Sequence, residues 1–277
     1  MRLKNNYTQE IKEYSKLAKD IRKVILNMIY QAKAPHIASS FSIVEILVVL
    51  YFKYLKIPAD NPRDKRRDRL ILSKGHGCPA LYAVLRKRGF INDVMLEGFG
   101  CDGGALEGHP TYDLEKGIEV STGSLGHGLS IGAGMAMAAK HDRVPSRVFV
   151  LMSDGEIQSG FVWEAALFAA HHKLDNLVAI IDYNKIQALG RVEEVNDLEP
   201  LKNKWNSFGW GVREINGHDF KELFSAFEML PIEQNRPSII IAHTIKGKGV
   251  SFMQNDLLWH YRCPDEKEYN SAMRELE

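Results

Sequence analysis

Two polar loops in the second half of the chain carry residue types that could bind a metal ion and a phosphate. Asp154 and Gly155 follow an apolar run at 148–152, and Asn184 follows a second apolar run at 177–182. If both runs are parallel strands, their carboxyl ends lie at one edge of the sheet, where α/β proteins bind ligands. Mg²⁺ prefers oxygen ligands and usually takes one or two from carboxylates, with phosphate and water completing its shell. Asp154, the Asn184 side-chain oxygen and a nearby carbonyl would suit a Mg²⁺-diphosphate, although turn or N-cap roles explain these residue types better on their own.

Four histidines are the other candidates for chemistry. His36, His76 and His109 lie in segments rich in small residues, and His260 follows Trp259 near the end of the sequence. Imidazole groups titrate near neutral pH, so they can hold substrate hydroxyls and exchange protons with them. A single histidine beside glycine is more often a structural donor than a catalyst.

The elements that must position these residues are predicted to alternate between strands and helices. Apolar positions at three- and four-residue steps predict a helix over 11–29, and a second helix is predicted over 42–54. The glycine-rich segment 98–128 is predicted to be mostly loop, and a small-residue helix follows it to 140. Apolar strands alternating with helices predict an α/β fold, a parallel sheet with helices on both faces, in a single domain over 1–277. The predicted strands lie at 69–73, 148–152, 177–182, 211–215 and 238–242, and the remaining predicted helices at 79–87, 162–172, 202–208 and 220–230.

Composition excludes several classes of protein. The 36 basic and 35 acidic residues nearly cancel, so no overall field favours nucleic acid or a membrane surface. The charged stretch 1–23 lacks the apolar core of a signal peptide, and no apolar run reaches the ~18 residues that a membrane span requires. Cys78, Cys101 and Cys263 are far apart and form no CxxC pair, so neither a disulfide framework nor a zinc site is predicted, and a cytoplasmic location is expected.

Two partial matches to nucleotide-binding motifs are rejected. GxGxxG fits residues 98–103, but no predicted strand precedes it and Pro110 with further glycines follows where a helix should begin. Gly-Lys-Gly at 247–249 lacks Walker A spacing and has no Ser or Thr after the lysine.

The two polar loops, taken with their spacing, resemble the thiamine-diphosphate signature of the transketolase family. An Asp-Gly closes one strand and an Asn follows the next, as in the family's GDG…N pattern. Segments 73–82 (SKGHGCPALY), 107–110 (EGHP) and 122–128 (TGSLGHG) resemble three further family blocks, and His36 stands where the family carries a histidine after its first helix. These matches occur in the family's order over nearly the whole chain, so coincidence does not explain them.

The resemblance implies a set of roles. It implies the diphosphate-binding domain of the thiamine-diphosphate fold and the transfer of a two-carbon ketol unit from a ketose to an aldose. The side chains of Asp154 and Asn184 and the carbonyl of Ile186 would bind Mg²⁺, or another divalent cation such as Ca²⁺ or Mn²⁺. Substrate hydroxyls and protons would be handled by His36, His76, His109 and His260. The implied cofactor-binding residues are His76, Gly123, Ser124, Leu125, Asp154, Gly155, Glu156, Asn184 and Ile186.

A partner chain is implied as well. A complete transketolase also carries a third domain and a pyrimidine-binding domain, whose glutamate protonates the aminopyrimidine ring of the cofactor. Split transketolases place the N- and C-terminal halves on separate chains, and the N-terminal half matches this length. The resemblance therefore implies a C-terminal subunit with the pyrimidine-binding domain, an α2β2 assembly with the cofactor between the two kinds of chain, and sugar substrates.

Five positions depart from the family pattern. Ser153 replaces the first glycine of GDG, and Tyr261 replaces a glycine after His260. Ser159 replaces a glutamate thought to connect the two active sites, a charge for which Glu156 is a possible stand-in. His127 replaces a glutamine and Ala38 a glycine near the expected substrate funnel, which suggests a specialised acceptor sugar.

Two other functions remain open from the sequence. One keeps the cofactor but changes the reaction, as in an enzyme resembling deoxyxylulose-phosphate synthase or a 2-oxo-acid enzyme. The other is a cofactor-binding subunit without catalytic activity, which the serine at 159 supports and the retained histidines oppose.

Overall fold

A five-stranded parallel sheet lies between two layers of helices in the computed structural model, which describes residues 7–277. Residues 1–6, the start of the stretch in which no signal peptide is predicted, lie outside the described residues. The strand order is β1-β2-β3-β5-β4, and every neighbouring pair is parallel. The strands are β1 (Arg69–Leu72), β2 (Val148–Ser153), β3 (Leu177–Tyr183), β4 (Gly211–Asn216) and β5 (Ser238–His243).

Eleven α-helices are found among residues 7–277. Before β2 these are α1 (Thr8–Ala32), α2 (Ile37–Phe41), α3 (Val44–Val49), α4 (Cys78–Lys87), α5 (Asp93–Glu97) and α6 (Gly128–His141). After β2 these are α7 (Gly160–His171), α8 (Val192–Val195), α9 (Leu201–Ser207), α10 (Phe220–Glu228) and α11 (Glu266–Glu275).

Alternation along the strands divides the core into two layers. Leu70 and Leu72 of β1 face the cluster that α1, α3, α4 and α10 complete. Ile71, between them, faces the opposite cluster, which α6, α7 and α9 complete. Because successive side chains of a strand point to opposite faces, each buried strand supplies both layers. This arrangement confirms the predicted α/β fold with helices on both faces of a parallel sheet.

The predicted helix over 42–54 is divided in the structure. It consists of α3 and a wider π-helical turn at Leu50–Tyr54, and Ser42 lies outside it. The Ser42 hydroxyl lies 3.1 Å from the Ser39 carbonyl and donates to Asp182 at 2.7 Å. The break between α2 and α3 thus falls at a residue whose hydroxyl is held by Asp182 of the distant strand β3.

Four helices were not predicted because they are short or strongly polar, and the first of them is the five-residue α2. The other three are α5, α8 and α11; α11 carries a sequence signal, since Asp265 and Glu268 form a capping box at its start. The segment 98–128 is mostly loop, as predicted, with one short 3₁₀ turn at Leu114–Lys116. No helix within 7–277 is both long and apolar enough to cross a bilayer.

Candidate functional site

A cavity of about 300 Å³ opens at the carboxyl ends of four strands. Lys74 follows β1, Asp154 follows β2, Asn184 follows β3 and Lys246 follows β5, and all four line the cavity. This is the sheet edge at which the sequence predicts a ligand. A larger groove of about 650 Å³ runs along α1 and α5, but it brings none of the predicted site residues together.

The buried carboxylate of Asp182 organises the floor of this cavity. Its Oδ2 accepts hydrogen bonds from Lys74 Nζ at 2.6 Å and from Asn184 Nδ2 at 3.0 Å, and the Thr244 hydroxyl donates to Oδ1. Burial alone would raise the pKa of Asp182, but the Lys74 ammonium and these donors hold it below its ordinary value. Since Asp182 holds the Asn184 amide nitrogen and Ile186 N occupies one lone pair of the amide oxygen, the second lone pair of that oxygen remains for a cation.

Asp154 is a buried carboxylate in need of a counter-charge. Its two oxygens accept the backbone N–H groups of Gly155 and Lys185, each at 2.7 Å. Burial, followed by the charge of Asp182, raises the pKa of Asp154 to about 6. A cation bound beside this carboxylate would stabilise its ionised form.

The carbonyl of Ile186 completes the predicted metal ligands. Ile186 N donates to Asn184 Oδ1 at 3.1 Å, which folds the two residues into one turn, and Asp154, Asn184 and Ile186 all line the cavity. Within 7–277 no cluster of three or more His, Cys, Asp or Glu side chains could hold a metal ion. One carboxylate, one amide oxygen and one carbonyl suit a hard cation that takes its remaining ligands from phosphate oxygens and water.

Lys246 contacts both this carbonyl and a histidine. Its buried ammonium lies 2.8 Å from the Ile186 carbonyl and 2.7 Å from His260 Nδ1. Burial, followed by the charge of Lys74, lowers the pKa of Lys246 to about 8. An ammonium only donates, so Nδ1 of His260 accepts and the ring proton of the neutral form is on Nε2.

The four predicted histidines converge on the cavity. The ring centroids of His36, His76 and His260 lie 5.0 to 5.7 Å apart. Burial is the main cause that lowers the pKa of all three, to about 4 for His36 and about 3 for His260, and to well below the ordinary value for His76. They are therefore neutral at pH 7, each with one nitrogen that donates and one that accepts, which suits the binding of hydroxyl groups.

Backbone geometry also favours close approach of a ligand. His36 has a left-handed conformation with φ of 72°, and its N–H donates to the His260 carbonyl at 3.1 Å. A Cβ added at Gly123 would lie 3.3 Å from the His109 ring, and one at Gly155 would lie 3.2 Å from the Gln187 side chain. Glycine leaves both backbone segments open to the cavity.

Two predicted cofactor-binding residues do not line the cavity. The carboxylate of Glu156 is buried behind the loop, where it accepts from the N–H groups of Gly126 (2.9 Å) and Ser153 (3.2 Å) and from the Ser73 hydroxyl. The Ser124 carbonyl lies 3.3 Å from His127 Nδ1. Glu156 therefore positions two cavity loops with its side chain, which points inward and does not replace the charge missing at 159.

Ala38 and His127, which were expected near the substrate funnel, do not line the cavity either. Ala38 is fully buried and its carbonyl accepts from Gly247 N at 3.0 Å. His127 is exposed and packs on Phe161, with ring centroids 5.1 Å apart. Their placement gives no support to a direct role in selecting the acceptor.

Several cavity residues were missed from the sequence. They are Ser39, Gln187 and Lys246, together with Lys74, which lies in a recognised block without an assigned role; the buried Asp182, which holds Lys74 and Asn184, was missed as well. A usable signal existed for Lys246, because it follows the carboxyl end of a predicted strand as Asp154 and Asn184 do. Asp182 lies inside a strand, and only the fold reveals what it contacts.

Comparison with known proteins matches most of the chain. A family model described as "Transketolase, thiamine diphosphate binding domain" matches residues 13–275. The chain is 44% identical over 255 residues to a protein of Phocaeicola vulgatus named as one subunit of an apulose-4-phosphate transketolase, covering 92% of this chain and 90% of that protein. It is also 44% identical over 257 residues to the "6-deoxy-6-sulfo-D-fructose transketolase subunit SqwG" of a Clostridium species, covering 93% and 94%.

Solved structures agree with the fold. The Campylobacter jejuni transketolase is 30% identical with a TM-score of 0.88, and the match covers 95% of this chain and 42% of that one. The Leishmania mexicana transketolase is 27% identical with the same TM-score, covering 95% and 41%. The chain thus spans about two fifths of these solved transketolase chains.

Proposed function

The chain belongs to the transketolase family through its thiamine diphosphate-binding domain, and on this premise we propose that it is the cofactor-diphosphate-binding subunit of a two-chain transketolase. The observation that carries the proposal is the convergence in one cavity of Asp154, Asn184 and the Ile186 carbonyl with four histidines. A single domain over 1–277 would supply this site. When bound, thiamine diphosphate supplies the carbon nucleophile and electron sink for breaking and making a bond beside a carbonyl.

The chain's own residues have distinct parts in this proposal. Asp154, Asn184 Oδ1 and the Ile186 carbonyl hold Mg²⁺, or Ca²⁺ or Mn²⁺, and the open backbone at Gly123 and Gly155 admits the cofactor. Asp182 keeps the Asn184 amide oxygen turned toward the metal position.

The histidines hold and relay protons of the sugar. Neutral His36 and His76 would donate to and accept from the hydroxyl groups of a ketose donor and an aldose acceptor, and His109 and His260 would bind hydroxyl groups in the same cavity. His260 presents its Nε2 proton because Lys246 engages Nδ1. A hydroxyl proton could pass to the accepting ring nitrogen of His36 or His76, but not to His260 while Lys246 holds its Nδ1.

The sugars are proposed to be specialised. The two relatives that are 44% identical to this chain are named for apulose 4-phosphate and for 6-deoxy-6-sulfo-D-fructose. We infer that this chain also takes part in transfer of a two-carbon ketol unit between sugars that carry an anionic group.

A C-terminal partner subunit is proposed to complete the site. The relatives of this length are named as subunits, and this chain covers 90% and 94% of them. Leu125 both lines the cavity and is 40% exposed, and Phe161, Leu167 and Phe168 of α7 are exposed apolar residues as well. A partner that covers this surface would close the cavity. We propose that the two kinds of chain form an α2β2 assembly and that this assembly is located in the cytoplasm.

Calorimetry on the co-expressed complex tests the proposal. Thiamine diphosphate with Mg²⁺ should bind tightly to the complex and weakly to this chain alone. Asp154→Ala should weaken binding by more than the about 10- to 100-fold typical for loss of an outer-shell partner. Asp102→Ala, which removes an exposed carboxylate outside the cavity, should bind as the wild type does. No binding in either form would refute the cofactor site and favour a role in assembly without catalysis.

A further inference from the structure

The ammonium of Lys246 lies where a metal ligand would otherwise be free. It is fully buried, with 1% of the residue exposed, and it donates to the Ile186 carbonyl at 2.8 Å. That carbonyl is one of the three oxygens proposed to hold the divalent cation. Two cations on one carbonyl repel each other strongly at low effective dielectric, so ammonium and metal ion compete for it.

The second contact of the Lys246 ammonium, with His260, links its competition with the metal ion to a histidine of the cavity. The same nitrogen lies 2.7 Å from His260 Nδ1, which fixes the ring proton on Nε2. Both partners of the Lys246 ammonium are neutral groups, a carbonyl and an imidazole. By contrast, the Lys74 ammonium is held at 2.6 Å by the carboxylate of Asp182. Of these two buried lysines, Lys246 is the one without a carboxylate partner among the described residues, which leaves its ammonium available to an incoming anion.

The charges around the cavity indicate which ligand would displace the Lys246 ammonium from the Ile186 carbonyl. Asp154 and Asp182 oppose Lys74 and Lys246, so the floor is close to neutral before any ligand enters. A divalent ion alone would leave two uncompensated positive charges in a buried site, which is costly. A diphosphate offers anionic oxygens both to the metal ion and to the ammonium, so the two ligands offset each other.

We propose that Lys246 is an internal counter-cation that occupies the Ile186 carbonyl and makes divalent-metal binding dependent on the diphosphate. The inference rests on the proposed cofactor site. Lys246 blocks the metal position in the free protein and releases it when phosphate oxygens accept its ammonium. The same movement frees Nδ1 of His260, so metal entry and the hydrogen bonding of this histidine are coupled.

Mn²⁺ titration in the absence of diphosphate tests this coupling. The co-expressed complex is titrated with Mn²⁺ alone, and bound ion is measured by electron paramagnetic resonance. Lys246→Met should raise the Mn²⁺ affinity by about tenfold or more, because the competing cation is gone. In the presence of thiamine diphosphate, Lys246→Met should bind Mn²⁺ more weakly than the wild type, since the variant lacks the ammonium that donates to the phosphate oxygens. Unchanged Mn²⁺ affinity in Lys246→Met would overturn the inference.

Two matched variants separate contact from net charge. Lys248→Met removes a cation from the same loop outside the cavity and should leave Mn²⁺ binding unchanged. Lys74→Met removes a cation that contacts Asp182 and not Ile186. If Lys74→Met raised the Mn²⁺ affinity as much as Lys246→Met does, only the net charge of the cavity would matter. That result would overturn the contact-based mechanism.

A second substitution and a separate measurement keep the outcome clear. If Lys246→Met does not fold, as judged by thermal melting, Lys246→Gln carries the test with a neutral side chain, and the same rise in Mn²⁺ affinity is expected. Wild-type complex that fails to bind thiamine diphosphate with Mn²⁺ would refute the proposed function itself. That result is read from the diphosphate titration, whereas the inference is decided by Mn²⁺ alone.

Discussion

At the scale of single residues, burial sets the protonation state of the cavity histidines. Burial, followed by the charge of His109, lowers the pKa of His36 from 6.5 to about 4. Between these values the unfolded chain binds a proton that the folded chain does not, so stability falls as the pH is lowered from 6.5 toward 4. A histidine kept neutral for hydroxyl binding therefore makes the fold sensitive to acid.

Replacing this histidine should reduce that acid sensitivity. His36→Gln is expected to lose less thermal stability than the wild type between about pH 7 and about pH 5, because glutamine does not titrate. Melting curves at both pH values provide the measurement. The exposed His171→Gln should lose as much as the wild type. Equal losses in wild type and His36→Gln would show that His36 is protonated in the folded chain.

The site residues differ in how far sequence could reveal them. Asp154, Asn184 and the histidines were found because they lie in blocks with a recognisable order, and the fold places them in one cavity. Asp182 was missed because its partners come from distant segments; the Lys74 and Asp182 side chains pair across 108 residues. The contacts of Glu156 were not foreseen for the same reason, since nothing local shows that its carboxylate points inward.

At the scale of elements, the close approach of α6 to the sheet depends on a glycine. A Cβ at Gly132 would lie 2.5 Å from Val150 Cγ2 of β2, whereas one at Gly134 on the same helix would meet nothing within 4 Å. The first glycine is therefore required by packing, and the second is an exposed position that only lowers helix propensity.

Alanine at these two glycines should give opposite effects. Gly132→Ala is expected to destabilise the isolated chain by about 1–3 kcal/mol through overpacking against β2. Gly134→Ala should be neutral or stabilising by up to about 1 kcal/mol, since alanine favours helix. Urea unfolding of the chain without its partner measures both. Equal effects would mean that α6 can shift away from the sheet at no cost.

A buried ion-pair network links α1, α3 and the loop after β4. The Glu45 carboxylate pairs with Arg22 at 2.7 Å and with His218 Nδ1 at 2.9 Å, and His218 Nε2 accepts from Ile245 N at 2.8 Å. Arg22 and His218 hold the pKa of Glu45 at about 2 although burial opposes its charge. The network thus reaches the residue that precedes Lys246.

Removing one charge from this network should lower the free energy of unfolding substantially. Glu45→Gln leaves Arg22 buried without its counter-charge and is expected to cost about 3–5 kcal/mol of stability. Glu115→Gln, which breaks the exposed pair with Arg63, should cost no more than about 1 kcal/mol. Denaturant unfolding of both variants decides the comparison. A small loss in Glu45→Gln would show that water reaches Arg22.

Element prediction succeeded where burial imposes a simple pattern. The five strands were located almost to the residue, because β1, β2, β3 and β5 are short apolar runs that are almost wholly buried, whereas β4 is partly exposed and polar. The order β1-β2-β3-β5-β4 does not follow from those runs, since strand pairing depends on contacts far apart in sequence. The break at Ser42 was missed, and the partner of its hydroxyl, Asp182, lies on the distant strand β3.

At the scale of the whole molecule, one face is too apolar to be left in water. Helix α7 is apolar on nearly all sides, yet Leu167 is 59% and Phe168 40% exposed, and Met137 of α6 beside them is 40% exposed. A helix that is apolar all round is normally buried, and a contiguous exposed patch of this kind marks an interface. Since α7 begins near the cavity loop, where Phe161 packs on His127 two residues after Leu125, the partner that completes the site is the occupant we propose.

A charge placed on this face should separate the subunits while leaving the fold intact. Leu167→Glu is expected to weaken association with the co-expressed partner by at least about a hundredfold, because the complex would have to bury an unpaired carboxylate. Lys12→Glu, exposed on α1 across the sheet, should associate normally. Analytical ultracentrifugation measures the complexes, and circular dichroism verifies the fold. If Leu167→Glu still binds the partner but no longer forms the larger assembly, the face joins two copies of this chain, and the partner must close the cavity from another side.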